Sequence, residues 1–283
     1  MAEVTLPEYR RVDRLEEALV ALAEKRFSVL AGGTDFYPAW ADRTPDQPVL
    51  DISGIAALRG IEPIADGWRV GALTTWTDIL RAGLPSWSQA LCAAARDIGG
   101  VQVQNAGTMA GNICNASPAA DGVVALLALD ARVVLDSLSG RREMSLSEFL
   151  VGPRQTRRRR DELVTALDIP ARSARARSTF TKLGHRRYLV ISVAMVAIAI
   201  DRDASGAIDY AGVVVGSCSA TARHLERLEA LLLGQPRASA LAALFEADDL
   251  DVLTPIDDLR GTRDYRLDAV ATLVRRALGE VSA

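Results

Sequence analysis

Two short glycine-containing segments carry residue types that can bind an anionic ligand through the backbone. The first, AGGTD at residues 31–35, follows a short apolar stretch and predicts a turn at the end of a strand. Glycine reaches conformations with positive φ, and successive N–H groups in such a turn converge on anions. Alone, such a pair of glycines is also compatible with a tight turn that binds nothing. The segment is neither a Walker A loop nor a GxGxxG loop, which excludes the two commonest phosphate cradles.

The second segment, GTMAGN, covers residues 107–112. Thr108 brings a hydroxyl, and Asn112 brings an amide that both donates and accepts hydrogen bonds. Ser117 and Asp121 follow one short loop later. Backbone N–H groups together with a hydroxyl and an amide suit a pyrophosphate, and an isolated carboxylate suits a ribose hydroxyl. The two segments could therefore clamp one diphosphate from two subdomains.

The composition indicates a folded protein with room for two domains. The 283 residues are 49% hydrophobic and 24% charged, as in ordinary globular proteins, and the net charge of -3 argues against nucleic-acid binding. The three cysteines, Cys92, Cys114 and Cys218, lie far apart. They cannot by themselves ligate zinc or an iron–sulfur cluster, so no metal site is expected, and their spacing fits a reducing, cytoplasmic compartment.

Helix and strand patterns alternate along the first half of the chain. An amphipathic helix is predicted at 13–26, a strand at 48–55, a helix at 86–99, and a helix followed by a strand over 121–137. A polar, basic stretch at 171–178 predicts a domain boundary. The pattern is that of an α+β protein.

The second half reads as three strands followed by helices at 221–234 and 264–281. The longest apolar run, 188–200, is shorter than the roughly 20 residues of a membrane-spanning helix, so a buried strand is expected there. The basic run RQTRRRR at 154–160 is interpreted as a solvated loop; steering of an anion or contact with a partner chain is the alternative.

The two glycine segments carry a family resemblance. AGGTD and GTMAGNICNASPAAD resemble the two flavin-binding motifs of the FAD subunit of molybdenum hydroxylases, a family that includes medium subunits of carbon monoxide dehydrogenase and xanthine dehydrogenase. FTKLGHRRYLVISVAMVAIAID resembles the start of the C-terminal domain of that family, and the last two predicted helices resemble its last two. The likeness runs in order over nearly the whole chain. Ala110 departs from it, since glycine is common at this position.

The resemblance implies the fold. It is an α+β fold with a two-subdomain FAD-binding domain of the vanillyl-alcohol oxidase and CO dehydrogenase flavoprotein type, in which FAD lies extended between the subdomains. This domain would cover residues 1–174, with subdomains at about 1–55 and 56–174. A C-terminal α+β domain with a small antiparallel sheet and helices would cover residues 175–283.

The resemblance also implies the site. The residues that would wrap the pyrophosphate region of FAD are Ala31, Gly32, Gly33, Thr34 and Asp35. The residues that would hold the pyrophosphate and the adenosine side are Thr108, Gly111, Asn112, Ser117 and Asp121. Lys182 matches a lysine near the isoalloxazine, where a cation stabilises negative charge on a reduced flavin. No side chain is expected to act as a covalent or acid–base catalyst.

The implied function is electron transfer by a cytoplasmic FAD subunit. Electrons would come from the [2Fe-2S] clusters of a small subunit, which are fed by a large molybdopterin-binding subunit, in a dimer of heterotrimers. NAD, a quinone, O2 or another carrier would accept them, and no nucleic acid or membrane span is expected. A free-standing FAD oxidase, with His185 as its base, is a second hypothesis. A non-catalytic assembly subunit that has lost FAD is a third; it is supported by Ala110 and by Leu189 and Val190, which stand where acidic residues often follow the Arg–Arg pair of the family.

Overall fold

A computed structural model describes residues 7–40, 44–187, 189–236 and 242–282 of the chain. The strands are β1 Tyr9–Arg11, β2 Ser28–Leu30, β3 Val49–Asp51, β4 Ile61–Ile64, β5 Gly67–Gly71, β6 Arg132–Ser137, β7 Gly140–Ser145, β8 Leu150–Gly152, β9 Gln155–Thr156, β10 Leu163–Pro170, β11 Arg177–Leu183, β12 Ala194–Arg202, β13 Ile208–Gly216 and β14 Arg223–His224. The α-helices are α1 Leu15–Glu24, α2 Phe36–Ala39, α3 Trp76–Arg81, α4 Gln89–Asp97, α5 Val101–Ala106, α6 Met109–Asn115, α7 Asp121–Ala128, α8 Leu146–Phe149, α9 Glu226–Leu232 and α10 Arg263–Ser282. Single 3-10 turns occur at Ala56–Leu58, Ser86–Ser88 and Ala247–Leu250.

Within the described residues the strands form three larger sheets and one short hairpin. The first sheet is parallel, in the order β1-β3-β2, and its central strand is buried along its length. The second is antiparallel, in the order β4-β5-β10-β6-β7. The third, in the order β11-β12-β13-β14, is also antiparallel, and β8 pairs with β9. The AGGTD segment leaves the end of β2, as the sequence predicts.

Strand β12, Ala194–Arg202, accounts for the second half of the apolar run, whereas residues 189–193 lie outside any strand and Leu189 and Ile191 are exposed. Met195, Ala197 and Ala199 face a core shared with the first two sheets. Their neighbours Val196 and Ile198 face a second core formed with α9 and α10. Because successive side chains of a strand point to opposite faces, a strand buried on both faces is apolar throughout. No helix in the described ranges combines the length and apolarity needed to cross a bilayer.

Most predicted elements are confirmed, although their ends differ. The helices predicted at 13–26 and 264–281 are α1 and α10. The helix predicted at 221–234 is confirmed over Glu226–Leu232 as α9, because Arg223–His224 form β14. The clearest difference between prediction and structure lies in the uncharged residues around the second glycine segment, where no helix is predicted. These residues form helices α5 and α6, and only Gly107 and Thr108 lie between them. Thr108 ends the irregular part because its side chain caps α6.

A buried ion pair fixes the second sheet next to the β8–β9 hairpin. The Glu162 carboxylate, 3% exposed, accepts two hydrogen bonds from Arg142, at 2.5 and 2.8 Å, and one from the Arg159 N–H at 2.7 Å. Burial by itself raises the pKa of Glu162, but these hydrogen bonds and the nearby arginine charges outweigh it and hold the pKa below the usual 4.5.

Replacing Glu162 with glutamine is expected to make the protein less sensitive to acid. A carboxyl whose pKa is lowered by folding stabilises the protein above pH 4.5, and this contribution is lost as the pH falls through the folded-state pKa. Glu162→Gln should therefore cost about 2 kcal/mol at pH 7 and progressively less below pH 4.5. Denaturant unfolding at a series of pH values measures this. Glu143→Gln, in a looser and more exposed pair with Arg132, is the control; equal losses for both variants would contradict the prediction.

Candidate functional site

The first glycine segment packs directly onto the second. A Cβ atom added to Gly32 would lie 1.8 Å from the backbone oxygen of Ala106, at the end of α5. Gly33 has a φ of 72°, a conformation that favours glycine. The two segments are thus brought into contact by a close backbone approach and a left-handed turn, neither of which a larger residue allows without a shift.

Two backbone hydrogen bonds tie the second segment to the start of α3. The N–H of Met109 donates to the Thr74 carbonyl at 3.0 Å, and the N–H of Trp76 donates to the Gly107 carbonyl at 3.3 Å. The Thr108 hydroxyl accepts from the Gly111 N–H at 3.0 Å. Ala110 lies inside α6 in a helical conformation, so its methyl group strains no turn and the departure from the family pattern is tolerated.

A cavity of about 730 Å³ lies where the two segments meet. That volume is within the range of sites for small molecules and cofactors. Of the residues predicted from the sequence, those that line it are Ala31, Gly32, Gly33, Thr34, Asp35, Thr108, Gly111 and Asn112. Trp76, which is almost fully buried, contributes to the wall.

Unpaired polar groups at this cavity fit a diphosphate ligand. Within the described part of the chain, the backbone N–H groups of Gly32, Gly33 and Thr34 donate to no other protein group. Asn112 also lines the cavity, but its side-chain oxygen Oδ1 is buried on the side of Gly122 and has no hydrogen-bond partner. Gly32, Gly33 and Thr34 are partly buried, so a ligand in the cavity that accepts hydrogen bonds would pair with their N–H groups. Phosphate oxygens are acceptors of this kind.

Asp121 and Lys182 come together, but away from the cavity wall. Lys182 Nζ donates to Asp121 Oδ2 at 2.7 Å and to the Asp97 carbonyl at 3.1 Å. Ser192 donates to Asp121 Oδ1 at 2.6 Å. Burial raises the pKa of Asp121, while the Lys182 charge and the hydrogen bonds act to lower it. The pair joins the first turn of helix α7 to strand β11 of the third sheet.

Ser117 belongs neither to the cavity lining nor to the Asp121–Lys182 pair. Its hydroxyl accepts from the Ala119 N–H at 3.3 Å, in the turn between α6 and α7. All three of these predicted residues, Ser117, Asp121 and Lys182, are described by the structure, and none of them lines the cavity. Their assignment to the adenosine and isoalloxazine sides stays a prediction.

Several lining residues were not predicted from the sequence. Phe36 and Trp40 project from the segment that follows AGGTD, while Arg154 and Arg158 reach the cavity from the β8–β9 hairpin. No alternation in the sequence marks the two arginines, because Gln155 lines the cavity beside Arg154 and Arg154 has a left-handed φ of 59°. Contact with an anion was the alternative interpretation of this run.

The cavity between the two glycine segments, with unpaired N–H groups in its lining, defines a protein that binds an anionic ligand. Residues 3–172 match the family model for the FAD binding domain in molybdopterin dehydrogenase, and residues 179–281 match that for the CO dehydrogenase flavoprotein C-terminal domain. The chain therefore belongs to the FAD-binding medium subunits of the molybdenum hydroxylase family. Its cofactor is FAD, and it is a flavoprotein subunit of an oxidoreductase.

Individual relatives agree with this assignment. The chain is 32% identical to the glyceraldehyde dehydrogenase medium chain of Sulfolobus acidocaldarius, over 97% of this chain and 98% of that one. It is 36% identical to the nicotinate dehydrogenase FAD-subunit of Eubacterium barkeri, over 74% and 72% of the two chains. Its fold matches a carbon monoxide dehydrogenase structure from Hydrogenophaga pseudoflava with a TM-score of 0.86 at 27% identity, over 99% of both chains.

Proposed function

We propose that this chain is the electron-transfer subunit of a molybdenum hydroxylase. It would take electrons from the [2Fe-2S] clusters of a small partner subunit, which receives them from a large molybdopterin-binding subunit, and pass them to an external acceptor. FAD, when bound, supplies this chemistry because it accepts electrons singly and releases them singly or in pairs. The observation that carries the proposal is the cavity shared by the two glycine segments, with the unpaired N–H groups of Gly32, Gly33 and Thr34 in its lining.

In this proposal the chain's own residues bind and orient the cofactor. The N–H groups of Gly32, Gly33 and Thr34 would meet the diphosphate, with Ala31 and Asp35 flanking them. Thr108, Gly111 and Asn112 would meet it from the second segment, and Ser117 would lie toward the adenosine side. Asp121 is joined to Lys182 by a hydrogen bond of 2.7 Å, so the two residues would lie at the same end of an extended FAD. We propose that this is the isoalloxazine end, where Lys182 would favour the reduced, negatively charged form.

We also propose a division into an FAD-binding domain at 1–174, with subdomains at about 1–55 and 56–174, and a C-terminal domain at 175–283. The hydrogen-bonded sheets support it, since each is confined to one of these three parts. By analogy with its relatives we propose assembly as a dimer of heterotrimers. A cytoplasmic location is proposed because the three cysteines, all described, are unpaired thiols.

The test is co-expression of the full chain with its neighbouring genes, followed by purification through a tag on this chain. We expect a complex that contains FAD, [2Fe-2S] clusters and molybdenum. Anaerobic addition of a substrate that reduces the clusters should then bleach the flavin absorbance, as followed by stopped-flow spectroscopy.

The competing hypotheses give other results. A free-standing oxidase would turn over substrate with O2 in the absence of any partner, and an assembly subunit would purify without flavin. A complex in which the substrate reduces the clusters while the flavin stays oxidised would overturn the proposed function.

A further inference from the structure

The basic run at 154–160 contains arginines with different surroundings. Arg157 donates to the Glu148 carbonyl at 2.9 Å, and Arg159 lies beside the buried Glu162 carboxylate. Arg160 is exposed. Arg154 and Arg158, in contrast, line the cavity. The arginines of the run therefore differ: some pair with protein groups, one is exposed to solvent, and two line the cavity.

The hairpin that carries these two arginines is tied to the far end of α6. The Arg154 N–H donates to the Ala116 carbonyl at 2.9 Å, and the Arg154 guanidinium donates to the Asn115 side chain. Thr108 caps the opposite end of the same helix. The helix has seven residues, so the arginines lie about 10 Å along its axis from the glycine segments. A ligand anchored at the glycine segments and extended along α6 would reach them.

Both arginines are held in place before any ligand arrives. Arg158 Nη1 donates to the Glu162 carbonyl at 2.6 Å, and Glu162 is itself fixed by Arg142. Arg154 has a φ of 59°, an unusual conformation for a residue with a side chain, and such conformations concentrate at ligand sites. Arg158 is also close enough to Cys114 for its charge to act against the burial that raises the pKa of that thiol to about 11.

Charge distribution favours an anionic ligand at this end. Among the described residues that line the cavity, Arg154 and Arg158 are the positively charged side chains and Asp35 is the negatively charged one. The glycine segments offer neutral N–H groups to a diphosphate that carries negative charge. Because the diphosphate would lie at the glycine segments, the arginines would meet the adenosine beyond it, and a guanidinium stacks on the face of an aromatic base.

We propose that Arg154 and Arg158 form a cationic subsite for the adenosine diphosphate half of FAD and let this chain discriminate FAD from FMN. The inference rests on the proposed function, in which this cavity holds the dinucleotide. FMN lacks the adenosine monophosphate part, so it would be held by the glycine segments without engaging the two arginines.

The experiment measures dissociation constants of the flavin-free full chain for FAD, FMN and ADP, by fluorescence quenching for the flavins and calorimetry for ADP. Arg158→Gln is expected to weaken FAD and ADP binding about tenfold, because stacking of the guanidinium on the base is lost, and the Arg154→Gln/Arg158→Gln variant more. Affinity for FMN should stay unchanged. Arg158→Lys should retain part of the affinity, and FAD binding to Arg158→Gln should depend less on ionic strength than in the parent.

Arg160→Gln is the matched control, since it removes the same charge from the same run at a position outside the cavity. Unchanged thermal unfolding of the flavin-free variants shows that folding is intact. Equal weakening of FAD and FMN, or equal effects of Arg158→Gln and Arg160→Gln, would overturn the subsite. Wild-type chain that binds no FAD would instead contradict the proposed function, so the two failures are distinguishable.

Discussion

A Gly32→Ala chain is expected to purify without flavin. The added Cβ would lie 1.8 Å from the Ala106 oxygen and 2.6 Å from the Ala106 carbonyl carbon. Both are backbone atoms, so the contact cannot be relieved by rotating a side chain and the two glycine segments must move apart. The N–H groups of residues 32–34 would then move away from the second segment. Loss of two charge-assisted hydrogen bonds weakens binding by at least about 100-fold.

The measurement is the ratio of flavin to protein after gel filtration, together with the FAD dissociation constant. Gly279→Ala is the control, because a Cβ atom at that position of α10 would meet no atom within 4 Å. In a helix interior this change is expected to add about 0.5–1 kcal/mol of stability and to leave flavin binding intact. Stoichiometric flavin in Gly32→Ala would contradict the assignment of the cavity to the diphosphate.

Replacing Lys182 with methionine is expected to produce the largest loss of stability. The two side chains of the Lys182–Asp121 pair are 6% and 8% exposed. Removing the ammonium leaves a buried carboxylate supported by Ser192 alone, and breaking a buried pair in this way costs roughly 3–5 kcal/mol. Chemical denaturation of the flavin-free chain measures the cost without any contribution from cofactor binding.

The loss should depend on pH in a defined direction. Burial raises the pKa of Asp121, and losing the opposing Lys182 charge raises it further. When folding raises the pKa of a carboxyl, the folded state binds more protons than the unfolded state, so stability increases as the pH falls through the raised pKa. The defect of Lys182→Met should therefore shrink on acidification from pH 7, as the carboxyl becomes neutral.

Two further variants identify the cause. Lys182→Met/Asp121→Asn removes both charges and should recover part of the loss, with a coupling of about 1–3 kcal/mol. Thr179→Val, on the same strand, removes a hydrogen bond of 2.6 Å to Glu280 at the surface and should have a small effect. A Lys182→Met loss that is independent of pH, or additive with Asp121→Asn, would show that the ion pair does not join the two parts of the chain.

Part of the fold could be predicted from the sequence because it depends on patterns of neighbouring residues. The amphipathic pattern of α1 and α10 and the double-sided apolar pattern of β12 are local, so they predicted the elements. The glycine segments carried the family resemblance because a close backbone approach permits few residues. Helices α5 and α6 were missed, since their small polar residues lack an apolar periodicity and Thr108 capping decides where α6 begins.

What the sequence determined by itself was the family and the cofactor, because both depend on contiguous motifs. Only the tertiary structure decided which predicted residues meet. The AGGTD segment contacts Ala106. Asp121 pairs with Lys182 and does not line the cavity, whereas Arg158 of the basic run does line it. Such contacts join residues that are distant along the chain, and they depend on how sheets and helices pack rather than on any local pattern.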